Sequence, residues 1–238
     1  MQSQIRKANF TIDTVKIQKQ LAAEAAIEMV EEGMVVGLGT GSTSAIAIDL
    51  LGKRVSEGLN ILGIPTSKAS EHQATSLGIP LTSLSEHPSI DIAIDGADEV
   101  SPSLDLIKGL GGALVREKIV ESQSKSLVII IDDSKLVPTL GMCPLPVEVV
   151  FFGHKVTATS LTDLGCNPIL RMDNDKPFLS DNGNVIYHCN FDNGISNPSL
   201  LASQIENIPG VVTSGLFVNM ADIVLIGSMD GLQTLKRP

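Results

Sequence analysis

Four short apolar runs, at residues 34–38, 60–64, 92–94 and 126–131, limit what this chain can fold into. Each is too short for a buried helix and suits a strand covered on both faces. Glycines, hydroxyls or carboxylates follow each run, and helical stretches lie between them. Val15 to Glu32 reads as a helix, with Asp13 or Thr14 as its N-cap and Gly33 as its stop. Within it Ile17, Leu21, Ala25 and Met29 recur at helical spacing and are expected to face the core. Further helices are expected up to about Leu51, from Ser67 to Leu77, and from Ala113 to about Ser122, with a short strand near Ile79 to Leu81. Strand–helix alternation of this kind specifies an α/β fold around a mostly parallel sheet.

The densest chemistry lies between Asp91 and Glu121. The run Ile92-Ala93-Ile94 ends in Asp95-Gly96-Ala97-Asp98-Glu99, three carboxylates in five residues. A second apolar patch, Leu104 to Ile107, leads to Lys108 and then to Gly109-Leu110-Gly111-Gly112. Ligands in open α/β sheets bind outside the carboxyl ends of the strands, where Asp95 and Asp98 fall. Glycine lets the backbone come close to a ligand. Glu117 shares a helix flank with Leu114 and Val120, so burial can raise its pKa towards a useful base. The same carboxylates would also serve as turn residues, and Glu117 as a favourable acid in a first helical turn.

The first run leads into Gly39-Thr40-Gly41-Ser42-Thr43 and another helix. A helix N-terminus behind a small-residue loop offers backbone N–H groups to an anion. The alternative is a tight turn capped by Ser or Thr. The pattern is not a dinucleotide site: Ser44 replaces the third glycine, and no acid follows the second strand to bind a ribose. Nor does a Gly-Lys-Ser/Thr sequence close a Walker A loop.

After Pro144 the order changes to strand (147–152), helix (154–164), strand (168–172), strand (185–191), helix (198–208) and strand (211–217). This is the split βαβ, or ferredoxin-like, order. Asn197 is placed to cap the second helix, with Pro198 at its first position. The run 222–226 then returns to the first sheet, with a last short element from Asp230. The expected organisation is a Rossmann-like domain of residues 1–140 and 218–238, interrupted by a ferredoxin-like α+β domain of residues 141–217.

A net charge of −10 argues against nucleic acid, which needs clustered Lys and Arg. An anionic ligand would have to meet positive potential built locally. Cys143, Cys166 and Cys189 form no CxxC pair and read as small buried residues. The four histidines lack metal-ligand spacing. No apolar run approaches membrane length, and residues 1–20 lack the apolar core of a secretory signal. The expectation is a cytoplasmic protein.

The two motifs at Asp95–Glu99 and Lys108–Lys118 resemble those of type A ribose-5-phosphate isomerases, in the same order and at the same separation. The resemblance extends from about Lys19 to Thr234. It implies an aldose–ketose isomerase that interconverts ribose 5-phosphate and ribulose 5-phosphate through a cis-enediolate, with Glu117 as base. It also implies that Lys108 stabilises the oxyanion and that Asp95 and Asp98 handle hydroxyl protons. Thr40, Gly41, Ser42 and Thr43, aided by Lys19, would hold the phosphate. Gly96, Ala97, Gly109, Leu110, Gly111 and Lys135 would contact the sugar. No cofactor or metal is implied, and the assembly would be a homodimer or homotetramer.

A sugar-phosphate sensor on the same scaffold would need the phosphate loop but not the Lys108 and Glu117 pair. A coenzyme A transferase or amino-sugar phosphate deaminase of related architecture is a third reading; the deaminase would lack the double motif. Activity is expected to survive exhaustive chelation. Loss in EDTA, restored by one divalent ion, would instead point to a metal at Asp95, Asp98 or Glu99.

Overall fold

The computed structural model describes residues 2–237, with side chains described over 14–237. The chain begins with α1 (Gln2–Glu28), β1 (Val35–Leu38), α2 (Ser42–Ser56), β2 (Leu62–Pro65), α3 (Lys68–Ser76) and β3 (Ile92–Asp95). Two short strands, β4 (Glu99–Val100) and β5 (Leu106–Ile107), precede α4 (Leu114–Glu121) and β6 (Leu127–Asp132). A single 3-10 turn at Asp133–Lys135 follows. Next come β7 (Leu145–Val149), α5 (His154–Thr162), β8 (Asn167–Leu170), a hairpin of β9 (Met172–Asp173) and β10 (Lys176–Pro177), and β11 (Val185–Asn190). The chain ends with α6 (Pro198–Glu206), β12 (Val211–Ser214), β13 (Leu216–Phe217), β14 (Ile223–Ser228) and β15 (Gly231–Lys236).

The main sheet has the order β15-β14-β6-β3-β1-β2 and is parallel apart from the edge strand β15. Side chains alternate across β6 as the pleat requires. Val128 and Ile130 enter a core with Ala22, Ala26 and Leu51 from α1 and α2. Leu127, Ile129 and Ile131 enter a second core with Leu114 of α4, Leu106 and Phe217. Burial on both faces explains why the runs are continuously apolar.

Residues 145–214 form the second sheet, antiparallel in the order β12-β7-β11-β8. Its core draws on Leu145, Val147, Leu161, Val185 and Ile205. The chain order β-α-β-β-α-β is the expected one, with the β9–β10 hairpin added. Asn197 caps α6 by accepting from the Leu200 N–H, and Ser67 caps α3 through a reciprocal box with Ser70.

Several boundaries differ from expectation. The first helix starts at Gln2 and ends at Glu28, so residues 13 and 14 lie inside it rather than capping it. The side chain of Asp13 is outside the described residues. The expected core face of α1 holds in part: Ala25 and Met29 pack partly buried against the core, but Ile17 is 57% exposed, and Gln18, Ala22, Ala23, Ala26 and Ile27 are the fully buried positions. A Cβ on Gly227 of β14 would lie 1.8 Å from the Gln18 carbonyl oxygen, so the helix runs almost against the sheet. The segment 79–81 contributes one bridge, Gly63 to Leu81, not a strand. Strand β7 ends at Val149, leaving Phe151 and Phe152 exposed. The expected strand over 211–217 breaks at Gly215, whose Cβ would lie 2.2 Å from the Lys108 carbonyl oxygen. There the chain changes sheets, and β13 joins β5 and β4 in a small third sheet.

Candidate active site

Strands β1 and β3 are neighbours, but the chain leaves them for opposite sides of the sheet: β1 connects to β2, while β3 is followed in the sheet by β6. Their following loops diverge and open a crevice, as at other topological switch points. Gly39-Thr40-Gly41 and Asp95-Gly96-Ala97-Asp98 form its two lips.

Asp95 ties the lips together. Its Oδ1 accepts from the Thr40 N–H at 2.9 Å, the Ser44 hydroxyl at 2.7 Å and the Gly96 N–H at 2.7 Å. A Cβ on Gly39 would sit 2.1 Å from that same oxygen, so only glycine fits. Gly41 has φ 123° and turns the chain into α2, whose first amides have no carbonyl of their own helix to bond. Lys19 reaches over from α1 and donates to the Ser42 hydroxyl at 2.9 Å.

Lys108 follows β5 and is only 2% exposed. Its ammonium donates to the Gly96 carbonyl at 2.7 Å and lies 2.8 Å from Asp95 Oδ2, 3.2 Å from Glu121 Oε1 and 3.5 Å from Glu117 Oε2. These carboxylates hold its pKa well above the ordinary lysine value against the effect of burial. Helix α4 supplies both glutamates from its buried face, beside Leu114 and Val120. Burial raises the pKa of Glu117 to about 8; Lys108 opposes the rise, and Asp95 and Asp98 add to it. Helical spacing pointed only to burial beside Leu114 and Val120. The structure adds further buried carboxylates.

Asp98 is raised chiefly by burial, opposed by the Leu110 N–H at 3.0 Å and by Lys108 and Lys135. Together these groups surround a small cleft of about 120 Å³. Every site residue anticipated from the sequence lines this cleft except Asp95 and Leu110. Asp95 lies behind the wall and holds the lips and Lys108. Leu110 acts through its backbone, donating to Asp98 and accepting from Arg171 at 2.8 Å. Glu99 points elsewhere and accepts from the Gly141 and Cys143 amides. No cluster of three metal-ligating side chains occurs among the described residues, and none of their helices is long and apolar enough to cross a membrane.

Residues 62–231 match the family model for ribose 5-phosphate isomerase A (phosphoriboisomerase A). The ribose-5-phosphate isomerase A of Bacillus mycoides is 51% identical, with 90% of this chain and 97% of that protein covered. The chain belongs to the ribose 5-phosphate isomerase A family. The same enzyme from Gloeobacter violaceus is 51% identical over 92% of this chain and 96% of its own. A solved D-ribose-5-phosphate isomerase in complex with phospho-erythronic acid superposes with a TM-score of 0.91 at 39% identity, covering 94% of this chain and 99% of that one. The isomerase from Methanocaldococcus jannaschii gives 0.87 at 42% identity, covering 92% and 97%.

Two residues of this family member escaped the sequence reading. Glu121 lies one turn beyond Glu117 on the same apolar flank, and a Glu-x-x-x-Glu spacing there was the available signal. Arg171 directly follows β8 of the second sheet and stacks 3.7 Å over the Phe178 ring while it holds Leu110. No sequence signal joins positions so far apart.

Proposed function

We propose that the protein interconverts D-ribose 5-phosphate and D-ribulose 5-phosphate in this cleft, through a cis-enediolate. The observation that carries the reading is the placement of a buried carboxylate, Glu117, on the same cleft wall as the start of α2. The phosphate sits at Gly41, Ser42 and Thr43, where free amides and the helix dipole favour negative charge. Lys19 adds charge to that end. Glu117 takes the C2 proton of the open-chain aldose and returns it to C1. Lys108, fixed by Asp95, stabilises the negative charge that builds on the sugar oxygen, which a pre-placed cation in a dry site does well. Asp98 and Lys135 face the sugar hydroxyls, and Asp98 moves the proton that opens the ring.

Phospho-erythronic acid, bound by the relative above, supports this reading. It joins a phosphate to a planar carboxylate, the two-oxygen geometry that an enediolate presents. Within this proposal residues 141–217 form a separate domain whose Arg171 braces the sugar side of the cleft.

Thr43→Val tests the phosphate end. The change keeps shape and removes one hydroxyl from the cleft wall. Substrate binding should weaken by roughly 1–3 kcal/mol, the range for a hydrogen bond to a charged group, with an unchanged fold. An unaltered KM, together with no phosphate near this loop in a substrate-soaked crystal, would refute the assignment.

A further inference from the structure

Glu121 closes the rear of the charged cluster. It is 3% exposed and forms no part of the cleft wall. None of the described residues donates a hydrogen bond to either of its oxygens. One ammonium, that of Lys108, therefore serves three buried carboxylates: Asp95, Glu117 and Glu121. The nearby titratable groups are Asp98, which acts on Glu117, and Lys118, which feels Glu121 from one turn back in α4. Surplus negative charge sealed from water costs several kcal/mol per ion and is relieved by taking up a proton. The oxygens of Asp95 are already engaged: Oδ1 receives three hydrogen bonds and Oδ2 meets Lys108. Glu117 keeps a proton below about 8 but gives and takes it at the substrate, a point that rests on the function proposed above. Glu121, away from the cleft wall, is left to hold a further one.

We propose that Glu121 carries a proton in the resting protein and acts as a positioning residue, packing Lys108 against Asp95 and Glu117 without competing for its charge. Burial pushes its pKa up, Lys108 opposes this, and Asp95 and Glu117 reinforce it.

Glu121→Gln and Glu121→Ala in the full-length protein test this. The infrared band of a protonated carboxyl group should be present in the wild type at neutral pH and diminished by one group in E121Q. The acid limb of kcat/KM should keep its midpoint in E121Q, because no charge has been removed beside Glu117. E121A opens space beside Lys108 and should lower kcat by about tenfold to a hundredfold, as small misplacements do, with KM changed less than about twofold. Three results would overturn the proposal: a band undiminished in E121Q, an E121Q midpoint lower by about one unit or more as loss of a like charge requires, or wild-type kcat in E121A. Should E121A not fold, the two E121Q measurements decide. The infrared result does not depend on which residue is the base, so it stands apart from a failure of the Glu117 assignment.

Discussion

Glu117→Gln is expected to lower kcat by roughly 10²-fold to 10⁴-fold, the range for loss of a general base, with KM little changed. The amide keeps the volume of the side chain but accepts no proton. The phosphate grip lies at α2, so ribose 5-phosphate should still bind. Exchange of the C2 proton with solvent deuterium should stop. Wild-type exchange in the mutant would remove Glu117 from the mechanism and make Asp98, the other carboxylate on the cleft wall, the next candidate. The pH profile gives a second reading. A base with a pKa near 8 works only when ionised, so wild-type kcat/KM should climb as pH rises through about 8 and flatten above it. Between the ordinary value of 4.5 and about 8, the folded protein keeps a proton that the unfolded chain releases. That term therefore stabilises the fold below 4.5 and fades as pH rises through the window. E117Q should flatten this slope.

Lys108→Met should have the largest effect on stability. The thioether keeps length and apolar contact, including the neighbourhood of the Phe217 ring at 5.3 Å, but removes the one cation among three buried carboxylates. Breaking a buried pair from one side typically costs 3–5 kcal/mol, and about that loss is expected from urea unfolding at pH 8. At pH 5 the loss should shrink, because the orphaned carboxylates then bind protons in place of the ammonium. Activity should fall below that of E117Q, since both the oxyanion partner and the anchor of Asp95 are gone. A pH-independent loss, or one under about 1 kcal/mol, would mean that water enters the cluster and that Lys108 is less sealed than described.

Much of this site could be read from the chain because its parts are local. The loop Gly39–Thr43 and the acids Asp95 and Asp98 each follow a strand within a few residues, and the parallel sheet brings strand ends together. The division of labour could not be read in the same way. Asp95 looked like a group that meets substrate, yet its three hydrogen bonds turn it into a brace. Lys108 looked like a cleft cation with one partner, and it is the hub of three ion pairs. Such roles depend on depth below the surface, which spacing along one strand or helix does not report. The face of helix α1 was legible only in part for a related reason: its backbone at Gln18 comes against Gly227, and no pattern within the helix reveals its distance to a neighbour.

The register of Lys108 has a consequence for how the molecule is made. Its N–H bonds to the Gly215 carbonyl at 2.9 Å, and Glu99 is tied to the amides of Gly141 and Cys143. Lys118 donates to the carbonyls of Ser214 and Leu216 at 2.7 and 2.9 Å. The central lysine is thus locked by a segment synthesised about a hundred residues later. As the chain leaves the ribosome at about 5–20 residues per second, the first strands can pair while the lysine still lacks its fixed partner. Non-local closures of this kind are slow steps. Three buried acids and their single cation are therefore locked only after the segment around Gly215 has been made, and a nascent chain stalled before Gly215 carries both signature motifs without that lock.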